Sequence, residues 1–248
     1  MTVRIRSIDY EHEGVVLGGE LAWDDTWEEP RPGVLVIHDA NKSDEAFEEE
    51  RAVTLAGMGY AGFVVDVYGK GIHGSGDDAY ALMSPFQEDR PFLLERLLAA
   101  VHAAKAEPEV DDDRLAAIGY CFGGQCVLDL ARGNAPLRGV ASFHGTLARP
   151  DPERWPALEA AIQPKVLALH GWDDPFVPSD PNIVAFAAEM TDRKADWQLV
   201  SYGNTKHSFT NPGINLPEMG AVYDAKIAQR SWQALDVFLD EIFQGEAQ

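Results

Sequence analysis

Short unbroken apolar runs alternate with stretches of helical length along most of the chain, and this pattern restricts the fold more than any other feature. Gly33–His38 and Ala61–Asp66 hold only apolar residues between their ends, as strands buried on both faces do. Glu45–Met58, between them, reads as a helix. The alternation continues with a Gly-rich loop, Gly69–Gly76, and a long amphipathic helix over Pro85–Lys105. Then come a strand at Arg114–Gly119, a helix at Phe122–Arg132 and a strand at Leu137–Phe143. A weak helix around Trp155–Ile162 precedes a strand at Lys165–Leu169, a helix at Ile183–Met190 and a strand at Asp196–Tyr202. Gly220–Phe243 reads as the closing helix. Strands joined by helices of such length require right-handed βαβ crossovers, hence a mostly parallel central sheet with helices on both faces. Val3–Tyr10 and Val15–Trp23, around a turn at His12–Gly14, add antiparallel N-terminal edge strands. No repeat, low-complexity tract or linker divides residues 1–248, so a single α/β domain is expected.

Composition narrows the partners. Against 41 Asp+Glu the chain has 20 Lys+Arg, a formal charge of −21. Such a surface repels phosphate backbones and anionic lipid, so neither nucleic acid nor membrane is expected as a partner. No run reaches the roughly 18 apolar residues of a bilayer span, and residues 1–14 lack the apolar core of a secretion signal. The two cysteines, Cys121 and Cys126, cannot form a disulfide framework. A cytoplasmic protein, monomer or homodimer, with a small-molecule substrate is the expectation.

Ligands of open α/β sheets sit beyond the carboxyl ends of the strands. The strand exits here carry His38–Asp39, Asp66, Cys121, His144, His170–Asp174 and His207. Within this set, Gly119–Tyr120–Cys121–Phe122–Gly123–Gly124 joins an expected strand to an expected helix. It has the form of the G-x-S-x-G nucleophile elbow with sulfur in place of oxygen. The turn forces the nucleophile into strained dihedrals, and glycine is needed on either side to leave room. The helix that follows points its positive dipole end at the sulfur, which favours thiolate. A buried structural cysteine at a tight turn is the bland alternative for Cys121, and it is the reading adopted for Cys126, which sits among apolar helix neighbours.

A thiol nucleophile needs a base, and the base an orienting acid. In sheets of this kind the order along the chain is nucleophile, acid, histidine. Downstream of Cys121 lie His170–Gly171–Trp172–Asp173–Asp174–Pro175 and then Lys206–His207–Ser208, each leaving a strand. Either Asp173 or Asp174 can serve as acid, with His207 as base; His144 and His170 read as structural histidines. An oxyanion hole should draw on the N–H of Phe122 and, by topology alone, on that of Ala40. His38 and His73 show no tight metal-ligand spacing, so no metal is expected.

These stretches, with Arg31–Asp39, Gly59–Tyr60, Asp66–Gly69, Gly171–Pro178 and Lys206–Phe209, resemble the dienelactone hydrolase family over nearly the whole chain. The resemblance implies an α/β-hydrolase fold and cofactor-free hydrolysis of esters and lactones by a Cys–His–Asp triad through an acyl-enzyme. It also implies Asp174 as the acid, because the family's acid precedes proline in a D-P-x-V-P pattern. A further carboxylate of the family contacts the thiol and helps to take its proton. Asp39 matches that position, where the family usually has glutamate, about 1.5 Å longer in reach. Asp39 then either moves inward or acts through water, or instead caps its own loop. Arg90 matches an arginine that binds the substrate carboxylate, and Tyr68 is a second substrate-binding candidate. The arginine expected shortly after the histidine is missing, the chain reading Ser208–Phe209–Thr210–Asn211. This departure leaves two alternatives open: an esterase or thioesterase of the same fold acting on uncharged substrates, and a non-catalytic ligand-binding or redox-sensing module built around Cys121.

Overall fold

The computed structural model describes residues 2–42, 45–74, 76–155 and 160–244. They form a large, mostly parallel sheet with six α-helices among the described residues. The residues gather into two compact units, Met1–Ile118 and Gly119–Gln248.

The first unit opens with a hairpin of β1 (Val3–His12) and β2 (Val15–Asp24). Its two turn residues, Glu13 and Gly14, both have positive φ (52° and 73°), the backbone twist that closes a tight hairpin. β2 pairs antiparallel with β4 (Ala61–Val65), and β4 pairs parallel with β3 (Arg31–Ile37), so the order is β1-β2-β4-β3. The crossover between the two parallel strands is α1 (Glu45–Gly57). It lies so close on β4 that a Cβ at Gly62 would fall 2.6 Å from the Ala52 backbone. Leu17, Leu21, Val34–Ile37, Leu55 and Phe63 make up the core here, each at most 1% exposed. Each such side chain contributes roughly 1.5–3 kcal/mol by leaving water.

The long helix expected over Pro85–Lys105 is two helices, α2 (Asp77–Glu88) and α3 (Arg90–Lys105). Asp89 breaks them apart: its backbone leaves the helical region (φ −121°, ψ 75°) and its carboxylate accepts the Phe92 N–H at 3.1 Å. Pro91, in the first turn of α3, has no N–H to give a continuous helix but suits a helix start.

β5 (Val110–Tyr120) carries the chain into the second unit, where α4 (Phe122–Arg132) follows at once. β6 (Gly139–Phe143), β7 (Lys165–Gly171) and β8 (Trp197–Tyr202) are parallel neighbours in that order. α5 (Ser179–Asp192) joins β7 to β8, and α6 (Ala225–Gln244) closes the chain. Side chains alternate along β6. At Gly139 a Cβ would meet Phe238 and Ile242 of α6, whereas Ser142, of opposite parity, faces Gly124 of α4. The two helices therefore cover opposite faces of that strand.

Two expectations for this half change. The closing helix begins at Ala225, not Gly220. Gly220 is left-handed (φ 78°) after a single tight turn at Pro217–Met219, and Ala221–Val222 pairs as β10 with Asn215–Leu216 as β9. The helix start is set by Asp224, whose carboxylate accepts the N–H groups of Lys226 and Ile227. Of the weak helix expected around Trp155–Ile162, residues 156–159 lie outside the described residues, and Trp155 and residues 160–162 are not helical.

Candidate active site

Cys121 sits between β5 and α4 in a conformation that only local crowding explains: φ is 54° and ψ −110°. A left-handed backbone is strained for a residue with a Cβ. The surrounding glycines let it exist. A Cβ on Gly119 would lie 2.1 Å from the carbonyl oxygen of Gly123, and one on Gly124 would lie 2.7 Å from Gly145 Cα. The turn is pinned by the Cys121 N–H donating to the Phe143 carbonyl (3.0 Å) and the Gln125 N–H donating to the Cys121 carbonyl (3.2 Å). The thiol stands half-buried at the N-terminus of α4, next to the N–H of Phe122; Cys126, farther along the helix, is wholly buried.

The loop after β7 presents two adjacent aspartates in different settings. Asp173 is exposed. Asp174 is buried; its Oδ1 accepts the N–H groups of Phe176 (2.8 Å) and Val177 (3.2 Å), and its Oδ2 accepts the Nδ1–H of His207 at 2.7 Å. Cys121 is near enough to His207 to bear on its charge. Burial works against a charge on this imidazole, yet Cys121 and Asp174, by hydrogen bond and by charge, together raise its pKa from the ordinary 6.5 to about 10. His207 is held from both sides of its backbone: its N–H donates to Gly220 and its carbonyl accepts from Val222. The Phe176 ring lies 4.8 Å from the imidazole. The structure thus bonds His207 to Asp174 and sets Cys121 close enough to act on the imidazole, and leaves Asp173 outside this group.

Two further histidines surround this group. His144, beyond β6, is 2% exposed and left-handed (φ 42°); its Nε2 lies 2.8 Å from the Thr210 hydroxyl. His170, at the end of β7, is 1% exposed. Burial lowers the pKa of both, and the charge of His207 lowers each further. They are neutral side chains beside one that charges easily. The bond between His144 and Thr210 was not legible beforehand; a histidine-glycine pair at a strand exit was its only trace.

In the first unit, the Asp39 Oδ1 accepts the N–H groups of Asn41 (2.8 Å) and Lys42 (3.2 Å), capping its own loop. The Ala40 carbonyl accepts the Tyr68 hydroxyl at 2.9 Å, so Tyr68, 5% exposed, props the same loop. His38 donates from Nδ1 to the Asp39 carbonyl and accepts the Val67 N–H at Nε2, and burial takes its pKa down to about 4. Arg90 is the half-buried first residue of α3, and His73 lies in the exposed loop before α2. Sequence reasoning missed a buried ion pair here: Lys42 Nζ donates to Asp66 Oδ1 at 2.6 Å and to the Gly69 carbonyl at 3.1 Å. It missed a second such cluster in the other unit, where Arg132 binds Asp129 and Glu189 with no exposure of its own. Among the described residues no group of three or more His, Cys, Asp or Glu converges to hold a metal ion, and no helix is long and apolar enough to cross a membrane.

Comparison with known proteins agrees with this architecture. The sequence profile of the dienelactone hydrolase family matches residues 19–243. An uncharacterized protein of Caenorhabditis elegans is 40% identical over 153 residues, covering 61% of this chain and 94% of its own. A probable 2-oxo-3-(5-oxofuran-2-ylidene)propanoate lactonase of Bradyrhizobium sp. is 26% identical over 188 residues, 72% of this chain and 73% of its own. Among solved structures, a dienelactone hydrolase-like promiscuous phosphotriesterase, P91, from metagenomic libraries superposes with a TM-score of 0.88 at 36% identity, over 98% of this chain and 99% of its own. With the profile running across nine-tenths of the sequence and the same fold in a relative of matching length, the chain belongs to the dienelactone hydrolase family and is a hydrolase acting on ester bonds.

Proposed function

We propose that the chain hydrolyses small carboxylic esters and lactones through a thioester formed on Cys121. The observation that carries this reading is His207 standing between Asp174, 2.7 Å from its Nδ1, and the thiol of Cys121. His207, its pKa raised to about 10, holds the proton taken from the Cys121 thiol, and Sγ attacks the carbonyl carbon. The carbonyl π pair moves onto oxygen, where the N–H of Phe122 at the start of α4 is one donor to the oxyanion. Collapse re-forms the carbonyl and breaks the C–O bond. His207 returns its proton to the departing oxygen, which in a lactone stays tethered to the acyl group. Water then gives a proton to His207 and its oxygen attacks the thioester. Breaking the C–S bond releases the acid and restores the Cys121–His207 pair. Asp174 stays ionised, fixes the tautomer of His207 and offsets its charge. No step is assigned to Asp39, whose Oδ1 is taken up by the backbone of its own loop.

The substrate reading favours uncharged or singly charged esters. A dianion meets a chain of charge −21, and shortly after His207, where a second arginine is expected, the sequence reads Ser208–Phe209–Thr210–Asn211. Initial rates for an aryl ester and for a dienelactone, each in wild type and Cys121→Ala, test this. A Cys121-dependent rate on the aryl ester supports the reading, and a comparable rate on the dienelactone extends it to charged lactones. A rate unchanged in Cys121→Ala rejects the mechanism. Turnover on neither substrate favours the ligand-binding or redox-sensing alternative. A second activity, on phosphotriesters, is suggested by P91, described as a promiscuous phosphotriesterase and 36% identical over 98% of the chain. An aryl phosphotriester added to the same assay tests it.

A further inference from the structure

One short segment bears on both the histidine loop and the cysteine helix. His144 follows β6 directly, and the Nε2 of its ring is 2.8 Å from Thr210 Oγ1. The same ring meets His207 nearly edge-on, with centroids 4.9 Å apart and planes at 65°, and meets Phe209 at 5.1 Å and 80°. Phe209 and Thr210 belong to the loop that carries His207, so His144 grips that loop at three places. Its backbone N–H donates to Leu169 of β7 at 2.8 Å, which anchors the grip to the sheet. The next residue, Gly145, lies against α4: a Cβ there would come 2.5 Å from the carbonyl carbon of Gly124. α4 begins immediately after Cys121.

We infer that His144 is a positioning residue, which through its ring and its bond to Thr210 holds the His207 imidazole in the plane that faces Cys121. The inference rests on the reading of His207 as the base. Edge-to-face ring contacts fix an orientation rather than merely filling space, and transfer of the thiol proton depends on that orientation. The titratable groups around His144 are His207 and His170, with the Tyr120 ring 6.1 Å away. Burial, and beyond it the charge of His207, hold His144 well below the usual histidine range. It therefore stays neutral while His207 gains and loses its proton, and the contact does not turn repulsive partway through the cycle.

Four variants test this. His144→Asn keeps a residue that tolerates the left-handed backbone but loses the ring. Thr210→Val keeps the shape and loses the hydroxyl; Thr210→Ser keeps the hydroxyl; Cys121→Ala reports on the underlying mechanism. Expected are kcat losses of roughly ten- to hundredfold in His144→Asn and Thr210→Val, KM within about twofold, and Thr210→Ser within about threefold of wild type. Alkylation of Cys121 by iodoacetamide, read without substrate, should slow at acid pH relative to alkaline pH in the same two variants, as the thiol loses its aligned partner. A role confined to stability would lower the unfolding midpoint and leave kcat and the alkylation profile of the folded protein unchanged. That result, in either His144→Asn or Thr210→Val, overturns the inference. If Cys121→Ala loses all activity while those two match wild type, only the positioning role falls. If Cys121→Ala stays active, the mechanism falls and the inference with it.

Discussion

Replacing Asp174 with asparagine is expected to lower kcat by a factor on the order of 10³–10⁴, the loss seen when a triad histidine is forced into the wrong tautomer. The surroundings of Asp174 decide which way the new amide faces. In the wild type one carboxylate oxygen accepts two backbone N–H groups, from Phe176 at 2.8 Å and Val177 at 3.2 Å. The other accepts the Nδ1–H of His207 at 2.7 Å. An amide has a single oxygen. Turning it towards His207 sets its NH2 against both backbone donors, and each buried donor left unsatisfied costs about 1–3 kcal/mol. Turning it towards the backbone keeps those bonds and aims the NH2 at Nδ1, which asks only that the imidazole carry its proton on the other nitrogen. The second arrangement is cheaper. It leaves a hydrogen on the nitrogen that faces Cys121, where the thiol proton has to go. At 1.36 kcal/mol per tenfold, the expected loss corresponds to about 4–5 kcal/mol of barrier. Steady-state hydrolysis of an aryl ester by Asp174→Asn, with the exposed Asp173→Asn as control, measures it. Activity of folded Asp174→Asn within tenfold of wild type would refute the tautomer argument, as would an equal loss in Asp173→Asn.

Other consequences concern stability. His207 is raised from 6.5 to about 10, so it contributes stability that is fully present below pH 6.5 and lost as pH rises through about 10. Urea midpoints followed across that range should fall in the wild type and stay flatter in His207→Gln. Arg132→Met removes the cation that donates to Glu189 at 2.8 and 3.1 Å and to Asp129 at 3.3 Å, both carboxylates being buried. The loss should be about 3–5 kcal/mol, read by urea unfolding; a change below about 1 kcal/mol would show that Arg193 compensates. Gly119→Ala puts a Cβ 2.1 Å from the Gly123 oxygen. It should cost about 3 kcal/mol or more, visible as a lowered melting temperature together with lost Cys121 reactivity.

The local parts of the site were open to a reader of the sequence. The elbow follows from the steric demands of a few adjacent residues, and the helix after it begins at Phe122 and ends at Arg132 where the pattern places it. Boundaries failed where two signals overlapped. The apolar period ran on through Asp89, although aspartate followed shortly by proline is a helix-start signal. Likewise Gly220–Tyr223 was absorbed into the last helix, because a pairing between β9 and β10 outweighs helical pattern over so short a stretch. Aspartates at strand exits were hardest to tell apart. Asp39, Asp66 and Asp174 each accept backbone N–H groups two and three residues on, a local habit of the residue type. What separates them is the partner of the rest of the carboxylate: Lys42 and Gly18 for Asp66, His207 for Asp174.

Sequence alone was enough for the class of fold, the strained cysteine turn and the placing of Cys121, Asp174 and His207 at strand exits. Each of these depends on periodicity, handedness or crowding within one or two neighbouring elements. Only the tertiary structure bonded His207 to Asp174 and not to Asp173, joined His144 to Thr210, and matched Lys42 with Asp66 and Arg132 with Glu189. Those pairs lie far apart along the chain, and which of them meet depends on which strands and helices become neighbours. A buried charge or imidazole is tolerable only once its partner has arrived, and no pattern within a single segment records that arrival.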